Sequence, residues 1–134
     1  MKIDGGCLCG DLRYSIDAAL IDAGFCHCSI CQKSSGAPSM AWFTIPFNRF
    51  KYSRGNATVF QSSEHYQREF CSGCGTQIAF RSVVNPKTID VTICSLDDSS
   101  AIKPEYHIWC KSKVSWLHIN DELPQYLDSG PDSP

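Results

Sequence analysis

Short stretches of alternating or β-branched character recur along the chain, each closed off by turn residues. Asp11 to Ile16, Ser39 to Ile45, Ala57 to Gln61, His65 to Phe70, Gln77 to Phe80, Thr88 to Cys94 and Tyr106 to Cys110 carry this character. A period of two sends successive side chains to opposite faces of an extended chain, so each stretch predicts a strand. Amphipathic helical periodicity longer than two turns is absent; the best candidate is Ser29 to Ser35, with Ser29 placed to cap one short turn. Glycine and proline fall mostly between the strand candidates, at Gly5-Gly6, Gly36, Pro46, Gly55, Gly73, Gly75, Pro86 and Pro104, as antiparallel connections require. The expected class is mainly β. Residues 1–128 are expected to form a single domain, and Ser129 to Pro134, too polar and too rich in Pro and Gly to pack, a disordered tail.

The cysteines change this picture, because seven of the nine are grouped. In Cys71-Ser-Gly-Cys74-Gly75 the two-residue gap lets a tight turn aim both sulfurs at one ion, with glycines free to take positive φ. Cys7-Leu-Cys9-Gly10 has a one-residue gap, so its backbone must curl to bring both sulfurs onto one ion. Together the two pairs supply the four thiolates of a closed structural zinc site, joining the N-terminus to the middle of the chain. The triplet Cys26-His27-Cys28-Ser29-Ile30-Cys31 remains. Three protein ligands with a fourth position open to water or substrate are the arrangement of a catalytic zinc. Two other sharings stay open at this point: Cys28 and Cys31 pairing with Cys71 and Cys74, or His27, Cys94 or Cys110 closing the second site.

Composition narrows the partners. A formal charge of -2 and a pI near 6.0 provide no basic field for a phosphate backbone, so nucleic acid is not expected. With both centres metallated the formal charge would be about −5, and an anionic substrate would need local cations. Lys33, Arg54, Arg68 and Arg81 are available, although each reads first as a solvated side chain. The N-terminal residues contain no apolar leader and no stretch approaches the ~20 apolar residues of a membrane span, so a cytoplasmic protein is expected. In a reducing compartment such a density of cysteine points to metal or catalysis rather than disulfides.

The residues also form a known combination. Gly6-Cys7-Leu-Cys9-Gly10 followed by Tyr14, then Cys26-His27-Cys28-Ser29-Ile30-Cys31, then Arg68-Glu69-Phe70-Cys71-Ser72-Gly73-Cys74-Gly75 resemble the glutathione-dependent formaldehyde-activating family, which also includes centromere protein V. Ser95-Leu96-Asp97-Asp98, Pro104-Glu105-Tyr106-His107-Ile108, Trp116 and Leu123-Pro124 look like its later signature. The resemblance implies a β-tent fold of antiparallel sheets with two zinc ions. Cys7, Cys9, Cys71 and Cys74 would hold the structural one; Cys26, Cys28 and Cys31 would hold the catalytic one. It further implies a carbon-sulfur lyase that joins glutathione, as co-substrate, to formaldehyde. Cys94 and Cys110 depart from the family pattern and read as inert core thiols.

His27, between two ligands, is a candidate proton carrier, but alternation on an extended segment points it away from the metal and toward a packing or surface role. His107, Trp109 and Trp116 either wall a pocket or belong to the core. Two readings from other classes stand beside the enzyme: a non-enzymatic zinc module that binds protein or peptide, and a reductase acting through Cys94 or Cys110.

Overall fold

The period-two stretches do pair into sheets. In the computed structural model, which describes residues 1–131, the strands are β1 (Lys2–Gly6), β2 (Arg13–Asp17), β3 (Asp22–Cys26), β4 (Met40–Pro46), β5 (Phe50–Arg54), β6 (Thr58–Phe60), β7 (Tyr66–Phe70), β8 (Gln77–Ser82), β9 (Thr88–Thr92) and β10 (His107–Ile108). A helix, α1 (Ser29–Ser35), follows β3. One sheet has the order β1-β2-β5; the other, seven-stranded, runs β10-β3-β4-β9-β8-β7-β6. Every pairing between these strands is antiparallel except β10 with β3. The fold is mainly β, as expected.

Three strands lie where none was expected. β1 and β3 carry glycine and few β-branched residues, and β5 is half charged and polar; all three are held by their partners rather than by propensity. Two expected strands are shorter. The chain turns into a 3₁₀ segment at Ile93–Ser95, which ends β9, and Trp109 takes a left-handed conformation (φ 57), which ends β10. The helix spans its expected residues, but the capping side chain is Cys28, whose Sγ accepts from the Cys31 amide; Ser29 is already inside.

Alternation divides the larger sheet into two faces. Phe43 and Ile45 of β4, and Ile89 and Val91 of β9, face the main core with Tyr14, Ile16 and Phe50 of the smaller sheet. Their neighbours Trp42 and Thr44 on β4, and Asp90 on β9, face the other way and help to floor a cavity. Burying each large apolar side chain in the main core contributes ~1.5–3 kcal/mol. No helix among the described residues is long and apolar enough to cross a membrane. Of the expected tail, residues 132–134 lie outside the described residues.

Candidate metal centres and the adjoining cavity

Turns after β1 and β7 carry the first cysteine group. Gly10 and Gly75 adopt positive φ (84° and 79°), closing the turns that present Cys7 with Cys9 and Cys71 with Cys74. The four sulfurs lie within 4.8 Å of one another. Cys7 and Cys9 are 3.6 Å apart, Cys9 and Cys71 3.7 Å. A tetrahedral four-thiolate zinc with bonds of 2.3 Å has edges of about 3.8 Å, so this donor set fits such an ion. Hydrogen bonds favour the charged form of two of these sulfurs, Cys74 and Cys7. The Thr76 hydroxyl and amide bring Cys74 down to about 5. Burial works against ionisation of Cys7, yet the Leu12 amide, at 3.2 Å, and neighbouring thiols bring it below an ordinary thiol.

The second group is built at the junction of β3 and α1. Cys28 and Cys31 are the N-cap and third residue of the helix, one turn apart, while Cys26 ends β3. Their sulfurs also lie within 4.8 Å of one another. Among the described residues, no further His, Cys, Asp or Glu joins this cluster, and Cys71 and Cys74 belong to the other. Cys28 is pulled down to about 2 as it accepts from the Cys26 and Cys31 thiols and from the amides at the helix start; Cys26, donating to it, is pushed up.

The trio opens onto a cavity of about 440 Å³. Its floor is the second face of the large sheet, its walls are α1, residues 62–63 and the segment from Tyr106 to Ser112. Trp42, Tyr66, Phe80, Tyr106 and Trp109 make it aromatic; Asp22, Asp90, Arg68 and Lys111 provide charge. Gly24 is required here, since a Cβ at that position would meet the Tyr106 ring at 2.3 Å. Thr44 donates its hydroxyl to Asp90 Oδ1 at 2.5 Å.

Behind the trio a hydrogen-bonded chain runs from two buried histidines to an exposed carboxylate. His27 Nε2 lies 2.8 Å from His107 Nδ1, and His107 Nε2 lies 2.7 Å from Asp121 Oδ2. The carboxylate accepts a hydrogen bond from His107 Nε2–H, which leaves Nδ1 to accept from His27 Nε2–H. His27 is almost fully buried, and burial first, then His107, holds its pKa below the usual value. His27 Nδ1 has no hydrogen-bond partner among the described residues. The same bond draws the Asp121 carboxyl below its ordinary range.

Several expectations need correction. Arg68 is not a solvated cation but 94% buried, at 6% exposure, and Arg81 is paired with Glu69 at 2.6 Å. Lys33 and Arg54 are exposed. Trp109 does wall the cavity, whereas Trp116 is exposed and belongs to neither pocket nor core. Cys94 is exposed, beside a separate groove that includes Ser34, Met40 and Asp97; Cys110 is half-buried in a 3₁₀ turn. Neither is a core thiol.

The family model for the glutathione-dependent formaldehyde-activating enzymes matches residues 2–112. The chain belongs to this family. It is also similar to a protein from Rhodobacter sphaeroides of known crystal structure, at 25% identity and a TM-score of 0.61, over 76% of this chain and 92% of that one. The family match encloses both cysteine groups and the cavity but ends before Asp121. Trp42, Thr44 and Asp90 also line the cavity, although no motif marks them. Their alternation with Phe43, Ile45 and Val91 was the available sign that β4 and β9 present a second working face.

Proposed function

We propose that the chain holds two zinc ions, a closed one at Cys7, Cys9, Cys71 and Cys74 and an open one at Cys26, Cys28 and Cys31, and that the second site joins a thiol to a small aldehyde. Glutathione and formaldehyde are the pair that the family's name supports. The observation carrying this reading is the contrast between a four-sulfur group and a three-sulfur group that borders a cavity. Zinc at the trio would accept a further thiol in its open position and lower that thiol's pKa.

In the reaction a sulfur-carbon bond forms, the carbonyl π pair moves to oxygen, and the thiol proton ends there, giving an S-hydroxymethyl adduct. The reverse is a carbon-sulfur lyase. The chain's own residues bind and orient. The cavity volume falls within the ~300–1,000 Å³ typical of ligand sites and has room for a peptide-sized thiol. Asp22 and Asp90 suit an ammonium group, Lys111 a carboxylate, and the aromatic walls reduce water around the reacting atoms. None of the nine cysteines is paired in a disulfide, which accords with a reducing compartment such as the cytoplasm.

Thiols add to formaldehyde unaided, so the test must exceed that background. Initial rates are compared for buffer, stoichiometric zinc-loaded protein and its Cys28→Ser variant. Faster adduct formation with the native protein alone supports the assignment; three equal rates remove it and leave the zinc-binding module.

A further inference from the structure

Arg68 is a permanent cation, almost fully buried, and among the described residues it makes no salt bridge. Its neighbour Glu69 points to the other face of the sheet, where Tyr52, Gln67 and Arg81 donate to it. Asp90 stands two strands away in the same cross-strand row, beyond Phe80. What surrounds the guanidinium is neutral: Ser34 Oγ and Gln77 Oε1, both 3.3 Å from Nη1, Met40 Sδ at 3.9 Å, and the rings of Trp42 and Phe80 at 5.6 and 5.2 Å. Its Nε has no hydrogen-bond partner among the described residues. The exception is Cys31, whose Sγ lies 3.6 Å from Nη2.

A buried charge without a counter-ion is strongly disfavoured, and neutral acceptors and ring faces compensate it only in part. A cysteine trio around a divalent ion carries a formal charge of about −1, which becomes about −2 when a fourth thiolate enters. We propose that Arg68 is the counter-cation of the three-cysteine centre, donating to Cys31 and offsetting that added charge, so that the open position selects an anionic thiolate over a neutral ligand. Arg68 is a positioning residue in this role, acting through Cys31 rather than touching the aldehyde. The inference rests on the metal-binding reading of the trio given above.

Cobalt(II) substitution tests it without relying on turnover. Thiolate-to-cobalt absorption reports each centre, and the four-cysteine centre serves as an internal control for folding. Glutathione and imidazole are titrated as anionic and neutral fourth ligands into the native protein, Arg68→Gln and Arg68→Lys. In Arg68→Gln the glutathione affinity should fall at least tenfold while imidazole affinity is kept or rises; Arg68→Lys should recover most of the loss. Equal losses for both ligands, or no loss for glutathione, would overturn the counter-cation role. So would loss of cobalt from the trio in both variants, since geometry rather than charge would then matter. A native protein that takes up only one cobalt per chain would instead overturn the open metal site, and this inference with it.

Discussion

Consecutive residues on β7 show how far apart neighbours in a strand can be in chemistry. Arg68 faces the cavity, while Gln67 and Glu69 face inward, and all three are buried. The Glu69 carboxylate takes hydrogen bonds from Tyr52 (2.8 Å), Gln67 (3.0 Å) and Arg81 (2.6 Å). Removing it takes the acceptor from Arg81 Nε, from the buried Gln67 amide and from the half-buried Tyr52 hydroxyl. Glu69→Ala should therefore cost on the order of 3–5 kcal/mol in urea unfolding, and Glu69→Gln, which keeps an acceptor for Tyr52, clearly less. Gly24 poses the opposite problem, a side chain too many. Gly24→Ala pushes Tyr106 off β3 and should cost ~1–3 kcal/mol, seen as a lower denaturation midpoint and a changed near-ultraviolet tyrosine signal.

Among the elements, the segment after residue 112 matters more than its irregular course suggests. It lies along β10: the His107 amide donates to Pro124 O, Tyr126 to His107 O, Cys110 to Tyr126 O and Trp109 to Asp128 O, at 2.8–3.0 Å. It therefore supports the very residues that wall the cavity. Deleting residues 121–134 should abolish hydrogen-exchange protection at the Trp109 and Cys110 amides while leaving β4 and β9 protected. The contact is also sensitive to acid. Because the folded Asp121 carboxyl titrates below its unfolded counterpart, its contribution is complete above the unfolded value and disappears as pH falls through the folded one. Amide protection at His107 and Tyr126 should thus survive mild acidification and be lost only below the ordinary carboxylate range.

For the molecule as a whole, the four-cysteine group ties residues 7–9 to residues 71–74, and so the end of β1 to the turn between β7 and β8. Metal bound there adds folding free energy on the order of several kcal/mol, because the unfolded chain offers no such site. Cys71→Ser or strong chelation should lower the melting temperature sharply. If both groups hold zinc as proposed, Cys26→Ser in the trio should reduce metal content from two ions to one with a smaller effect on melting. Metal analysis alongside calorimetry separates the two.

Much of both centres was legible along the chain, because ligand spacing is a local matter. Cys28 and Cys31 are one helical turn apart, Cys71 and Cys74 one tight turn, and such distances depend on few dihedral angles. Period-two stretches similarly announced most strands. β1 escaped notice because its two glycines look like a loop; Gly5 is needed so that Tyr14, whose hydroxyl would lie 2.3 Å from an added Cβ, can cross it. The face on which each residue of β7 lies, the buried cation beside Cys31, and the link of His27 to a histidine 80 residues away depend on strand register and on which elements become neighbours. A slip of one residue would exchange every side chain between core and cavity, so those facts belong to the assembled sheets and not to any short run of residues.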